Sequence, residues 1–427
     1  MRKIDLNDFQ VATSETARDI NRRIVLNLIR KHQPVSRAEL SRQSGLQRST
    51  VSAITEELIS ERWVKEGALG YLPRGRKPVH LHINEERAGI IGINIRPSGT
   101  TLALAALDTR FLARDTMPTS DHPQAFLREL NRRIAKLRKS HSQVNCEGIG
   151  IALPGRVDPR SGRLIFAPNL GWDAVDLKEP IEEATGLPVQ LENAANACAL
   201  AELWSGRHDE SVRNLVAVTV SEGIGVGLIL NGQLITGASG LAGEFGHVTL
   251  DEDGPPCQCG NRGCWEVCGS NSAAIRYYSQ ANSGGKFSRQ STMEVVAPAT
   301  PHSRTAAEDC RPPKDRGRQT QSSFDDLLQL ARRGDAKAVA ALNRMAHFLG
   351  AGLAMLVSGL APDAIVVIGE VTGVWDSVGP IVERTLKERL GSRAVTPINP
   401  SRPDLELRLR GTITLVLQKH FGAPSLG

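Results

Sequence analysis

The sequence predicts an α/β protein preceded by a winged helix-turn-helix. Two observations carry that prediction: a basic, helix-patterned first segment that closes in a hairpin-like stretch, and an alternation of short apolar strands with helices from residue 88 onward. A third observation, a His/Cys cluster in a glycine-rich loop, adds a metal to the expected architecture. At 427 residues the chain exceeds one ordinary core, so two or three domains are expected.

Composition narrows the function classes. With 40% hydrophobic and 23% charged residues, the chain reads as an ordinary water-soluble protein. No apolar run is expected to span a membrane, and the opening MRKIDLNDFQVATSE lacks the apolar stretch of a secretory signal. Seven cysteines, three of them clustered, fit a reducing cytoplasm better than a disulfide framework. The charge is uneven: residues 18–82 hold 13 Lys+Arg against 6 Asp+Glu, which leaves the remainder close to neutral. A basic domain joined to a neutral body implies a polyanionic partner for the first domain alone.

After an N-terminal tail (1–17), residues 18–84 form the first domain. Ile20, Ile24 and Leu28, with Val25 and Ile29 alongside, mark the apolar stripe of a first helix. Ser36 and Glu39 form a capping box that opens a second helix, which ends at Gly45. A third helix follows over 47–62, with Val51, Ile54, Leu58 and Ile59 inward. Its outward residues Gln47, Arg48, Ser49, Thr50 and Ser52 gather at the N-terminal end, the part of a recognition helix that meets base edges. Arg48 can read guanine bidentately and Gln47 adenine, whereas Ser49 and Thr50 suit phosphate contact or capping. The stretch GALGYLPRGRKPVHLHIN then reads as a wing with Arg74, Arg76 and Lys77 at its tip. Double-stranded DNA is the predicted partner.

The body (88–422) supplies strand candidates at 89–95, 101–107, 148–155, 215–230 and 364–370, and helices at 124–140, 177–185, 194–206 and 324–359. Residues 283–323 break the rhythm: they are proline-containing, polar and poor in aliphatic residues, and are read as a disordered insertion.

Between Gly243 and Glu266, His247 precedes Cys257, Cys259 and Cys264. Thiolate and imidazole are preferred zinc ligands, and four of them close a tetrahedral structural site. Gly254, Pro255, Pro256, Gly260 and Gly263 let the loop fold back on itself. Residue chemistry alone leaves two ligand sets open, with either His247 or Cys268 completing the three cysteines.

This segment resembles the signature of the ROK family (repressors, open reading frames and sugar kinases), and Gly75-Arg-Lys-Pro78 resembles the Gly-Arg-Pro of its repressors. The resemblance implies a two-lobed actin-like ATPase (sugar-kinase) fold for residues 88–422. It selects His247, Cys257, Cys259 and Cys264 as ligands of one structural Zn2+ per chain. It also implies a sugar site containing Asn193, Glu244, His247 and Glu266, lined by the turns at 153–158 and 168–172. Glu244 and Glu266 have a plainer alternative role as hydrogen-bond partners of the zinc loop.

Departures from the family's kinases point away from catalysis. Their Glu-Asn-Asp-Ala-Asn is here Glu192-Asn193-Ala194-Ala195-Asn196, and Ala194 offers no proton acceptor. Their Asp-x-Gly-Gly-Thr is Asn94-Ile95-Arg96-Pro97-Ser98, their Gly-Thr-Gly is Ser221-Glu222-Gly223, and the Gly-Gly expected near adenosine is Gly369-Glu370. The expected function is that of a non-enzymatic, sugar- or sugar-phosphate-sensing transcriptional regulator, a repressor of carbohydrate genes that acts as a homodimer or higher oligomer on an inverted repeat. The alternative is an active ROK sugar kinase that carries a DNA-binding domain.

Overall fold

The computed structural model describes residues 14–69, 78–158, 161–205, 211–283, 323–391 and 396–422. Helix α1 (Ser14–His32) begins inside the stretch read as a tail. Strand β1 (Val35–Ser36), α2 (Arg37–Ser44), α3 (Arg48–Ser60), β2 (Val64–Leu69) and β3 (Val79–Ile83) follow, with sheet order β1-β3-β2. The capping box forms: Glu39 N–H donates to Ser36 Oγ at 3.3 Å, and Ser36 N–H donates to the Glu39 carboxylate at 2.8 Å. Gly45 ends α2 at φ 72°, a left-handed backbone that glycine adopts without a Cβ clash. One expectation for α1 is corrected. The buried face is Val25, Leu26 and Ile29, whereas Ile24 is 42% exposed, because α1 is covered on a second side by the end of the chain. The wing tip with Arg74, Arg76 and Lys77 lies outside the described residues.

The first lobe of the body contains β4 (Gly89–Arg96), β5 (Gly99–Ala106), β6 (Phe111–Met117), α4 (Pro123–Ser140), β7 (Cys146–Leu153), β8 (Arg156–Val157), β9 (Leu164–Phe166), α5 (Lys178–Thr185), β10 (Val189–Asn193) and α6 (Ala194–Ser205). Its sheet order is β10-β7-β4-β5-β6, with β4, β7 and β10 parallel. Alternation along β4 sends Ile91, Ile93 and Ile95 to the face covered by Phe126, Leu130 and Ile134 of α4.

The second lobe contains β11 (Leu215–Val220), β12 (Ile224–Leu230), β13 (Gln233–Leu234), α7 (Trp265–Gly269), α8 (Asn271–Asn282), α9 (Phe324–Arg332), α10 (Ala336–Leu360), β14 (Ala364–Ile368), α11 (Trp375–Leu390), β15 (Ile398–Pro400) and α12 (Leu407–Phe421). Its sheet runs β13-β12-β11-β14-β15. The helix expected over 324–359 is two helices, parted at Gly334 with φ 85°. The insertion predicted for 283–323 falls, apart from its end residues, outside the described residues.

Helix α10 qualifies the expectation that no run is long enough to span a membrane, since by length and composition it is. It is instead a core helix: Leu349, Leu353 and Leu356 are buried, and a Cβ at Gly352 would lie 2.0 Å from the Trp265 ring.

Helices α6 and α12 join the body to the first domain. They pack so closely that a Cβ at Gly411 would lie 2.3 Å from the Ala197 carbonyl. On its other side α12 crosses the first sheet, where a Cβ at Gly150 would lie 1.8 Å from the Thr412 carbonyl. Both helices end against α1. Asn27 Nδ2 donates to the Phe421 carbonyl at 2.7 Å and Arg23 to that of Gly422 at 2.8 Å. The Arg30 guanidinium stacks 4.1 Å above the Trp204 ring. Phe421 is edge-on to both Trp63 and Trp204, at 5.8 and 5.1 Å. One apolar core thus runs from Val25, Leu58 and Leu81 through Ile90 and Leu107 to Val416 and Phe421.

Candidate functional site

A cleft of about 410 Å³ lies between the lobes, lined from the first by Asn94, Arg96, Arg156, Phe166 and Asn193 and from the second by Glu222, Leu241, Glu244, His247 and Glu266. Asn193 ends β10 and caps the next helix: its Oδ1 accepts from Ala195 N–H at 2.8 Å, while its Nδ2 donates to the Gly155 carbonyl at 2.7 Å. The Asn193 side chain therefore ties the 153–158 turn to α6 and still faces the cleft. Glu192 accepts from Asn193 N–H at 2.8 Å and from Asn196 at 3.0 Å, and burial pushes its carboxyl above the usual range.

Across the cleft, Glu266 stands in the first turn of α7 and accepts from Ile224 N–H at 3.1 Å. Burial raises its pKa, and His247 opposes that rise. Glu244 and His247 share one turn of 3-10 helix, with His247 Nε2 3.6 Å from a Glu244 oxygen. The four sugar-site candidates are thus brought together. Glu192, Asn196, Arg156 and Arg408 also line the cleft and were not singled out from the sequence. Glu192 and Asn196 left a signal there as polar neighbours of Asn193, and Arg156 as part of the 153–158 turn.

Behind the cleft, the ligand atoms of His247, Cys257, Cys259 and Cys264 all lie within 4.8 Å of one another. Cys257 Sγ is 3.6 Å from His247 Nδ1, and Cys259 Sγ is 3.6 Å from Cys264 Sγ. A tetrahedron with metal–sulfur bonds of about 2.3 Å has edges of about 3.7 Å, so the donors fit a zinc-sized ion. Gly263 makes the fold-back possible: at φ 57° its Cβ would lie 1.5 Å from the Asp251 carbonyl. Burial and the neighbouring thiols push Cys264 far above the usual thiol range, so an arriving cation must displace protons. Cys268, the rival ligand, is buried within α7 outside this cluster. His247 presents Nδ1 to the sulfurs and Nε2 to the cleft side.

In the first domain, Gln47 is the N-cap of α3, and Gln47, Arg48 and Ser49 are exposed at its start. Thr50 and Ser52 are half-buried. The N-terminal end of α3 is therefore presented to solvent, with its three most N-terminal candidates the most accessible.

Comparison with known proteins supports both halves. Residues 90–418 match the ROK family, and residues 18–65 match a winged helix-turn-helix DNA-binding family. The xylose repressor of Bacillus spizizenii is 30% identical over 394 residues, covering 92% of this chain and 91% of the relative. The crystal structure of a ROK-family transcriptional regulator, described as a homolog of the E. coli MLC protein, superposes with a TM-score of 0.76 at 25% identity, covering 96% of this chain and 99% of that one. A ROK glucokinase from Streptomyces griseus, solved with glucose and AMPPNP, matches with a TM-score of 0.63 at 25% identity, covering 77% of this chain and 99% of that one. The family thus includes kinases, whereas the two relatives above that span more than nine tenths of this chain are a repressor and a transcriptional regulator. The chain belongs to the ROK family and, with a winged helix-turn-helix ahead of its ROK body, is a DNA-binding transcriptional regulator of carbohydrate metabolism.

Proposed function

We propose that the ROK body is a kinase-inactive sugar sensor that holds one structural zinc and governs repression from an inverted-repeat operator. It acts as a homodimer or higher homo-oligomer in the cytoplasm. The observation that carries this reading is the two-sided cleft. Its sugar side keeps Asn193, Glu244, His247 and Glu266 together, while Ala194, the first residue of α6, offers no base for a hydroxyl. Zinc would hold His247 through Nδ1, leaving Nε2–H to meet a sugar hydroxyl.

The direct test incubates the protein with MgATP and a panel of pentoses, hexoses and hexose 6-phosphates. We expect binding without turnover, with xylose a first candidate because the Bacillus relative is a xylose repressor. Sustained turnover would make the protein a sugar kinase with a DNA-binding domain, and no binding to any sugar would leave the body an assembly module. Position 194 also tunes the ligand: without the carboxylate there is room for a substituted or anionic group. Ala194→Asp is expected to shift preference toward the free sugar by about 1.5–3 kcal/mol, the worth of one charge-assisted hydrogen bond. Unchanged affinities for a hexose and its 6-phosphate would remove position 194 from the ligand.

On DNA, Arg48→Ala is expected to relax base preference, at about 1–3 kcal/mol for the base pair it reads. Arg76→Ala is expected to weaken binding evenly across sequences and to lower the salt slope by about one. Competition titrations against operator variants separate the two outcomes. A half-site bound as tightly as the full repeat would rule out a symmetric dimer.

A further inference from the structure

Arg96 ends β4 in the first lobe, and its guanidinium reaches two carboxylates of the second. Its Nη2 lies 3.1 and 3.2 Å from the two oxygens of Glu222, and its Nη1 lies 3.0 Å from Glu370 Oε1. Both acceptors are braced by α8: Asn271 Nδ2 donates to the other oxygen of Glu370 at 3.0 Å, and Ser272 Oγ donates to the Glu222 carbonyl at 2.8 Å. About two thirds of each charged side chain is buried, with 28%, 33% and 30% exposed for Arg96, Glu222 and Glu370. Burial disfavours the charge on Arg96, but Glu370 and Glu222 outweigh it and hold the guanidinium protonated. Burial likewise opposes the charge on Glu222, and Arg96 overrides it.

This triad lies at the ends of three strands, one in the first lobe and two in the second; Arg96 and Glu222 line the same cleft as the sugar candidates, and Glu370 pairs with Arg96 beside them. The glucokinase relative was solved with a sugar and a nucleotide analogue together. Here Arg96 and Glu222 stand in the segments that resemble a kinase's phosphate loops and Glu370 in the one expected near adenosine, a cation between two anions that already joins the lobes. We propose that Arg96 is an interlobe latch: it fixes the closure of the cleft from within the chain, so that sugar binding needs no nucleotide. The latch rests on the sugar-sensing reading for its consequence, but not for its geometry. Lysine cannot replace it, because only a guanidinium fork serves both carboxylates at once.

The test compares wild type with Arg96→Ala, Arg96→Lys, Glu222→Gln and Glu370→Gln in two measurements. The first is sugar affinity by calorimetry with and without MgATP. The second is hydrogen exchange in the sugar-free protein over residues 94–98, 221–224 and 369–371. We expect Arg96→Ala to weaken sugar binding about tenfold or more, and Arg96→Lys and the two Glu→Gln variants several-fold, as for residues coupled by direct contact. MgATP should leave wild-type affinity unchanged. Exchange in the three segments should rise about tenfold in Arg96→Ala while α10 stays protected. Wild-type affinity and exchange in Arg96→Ala would overturn the latch, as would a gain in wild-type sugar affinity on adding MgATP. If wild type binds no sugar, the sensing reading fails and the exchange measurement alone decides the latch. If Arg96→Ala does not fold, Arg96→Lys and Glu222→Gln carry the test, and both behaving as wild type would overturn it.

Discussion

Cys259→Ser is expected to abolish metal binding at the His/Cys cluster and to lower the melting temperature of the second lobe. Cys259 is the exposed member of the four-residue cluster, so its replacement removes a ligand without opening a cavity. A surface change of that size is otherwise worth within about 0.5 kcal/mol. Structural zinc, by contrast, supplies on the order of 10 kcal/mol of folding energy. Losing even about 4 kcal/mol lowers a melting temperature by roughly 8–16 °C in a lobe of this size. Metal content by elemental analysis and calorimetric melting read the two halves of the expectation. Retention of about one zinc per chain in the variant would refute the ligand set of His247, Cys257, Cys259 and Cys264. Cys268→Ser is the control and is expected to keep its metal, because Cys268 is not part of the cluster.

Phe421→Ala is expected to separate the first domain from the body. The ring is only 6% exposed and stands edge-on to Trp63 on one side and Trp204 on the other. Truncating a buried Phe costs about 3–5 kcal/mol, and here the loss falls on the junction. The single calorimetric transition expected of wild type should split in two, and operator affinity should fall although no DNA-contact candidate has changed. A wild-type melting profile would show that the shared core does not couple the domains. Acid should loosen the same junction. Burial holds His420, whose ring centroid lies 4.5 Å from that of Trp63, down to about 4. A histidine whose pKa is depressed by folding contributes stability that is full above its unfolded pKa of about 6.5 and is lost as pH falls toward the folded value. The junction should therefore weaken between about pH 6.5 and 4.

What the sequence disclosed was local. The capping box at Ser36 and Glu39 spans four residues, and the three cysteines span eight, so spacing alone conveys their geometry. The apolar runs of β4, β7, β11 and β14 stand out because both faces of those strands are buried. Helix α12 was not read for a related reason: with Leu407, Leu409, Ile413, Leu415, Val416 and Leu417 all buried, it lacks the one-sided stripe by which periodicity marks a helix. Edge strands β6 and β15 were missed because polar residues interrupt them. The candidate sugar residues came from motif likeness, and the structure brings them to one cleft. The Arg96–Glu222 pair could not be foreseen as a contact, since 126 positions separate its members. Residue chemistry left His247 and Cys268 open, the family resemblance chose His247, and the structure agrees, with Cys268 in α7 outside the cluster.

Helices α6 and α12 both begin at the cleft, where Ala194 and Arg408 line it, and both finish against α1. At 12 and 15 residues they are about 18 and 22 Å long. The two binding surfaces are therefore joined by rigid, close-packed rods and not by a flexible tether. Whatever free energy a ligand spends or gains by displacing those rods is entered equally in the DNA equilibrium. Thermodynamic reciprocity then requires that a sugar lowering operator affinity by some factor be itself bound more weakly, by the same factor, on the operator-bound protein.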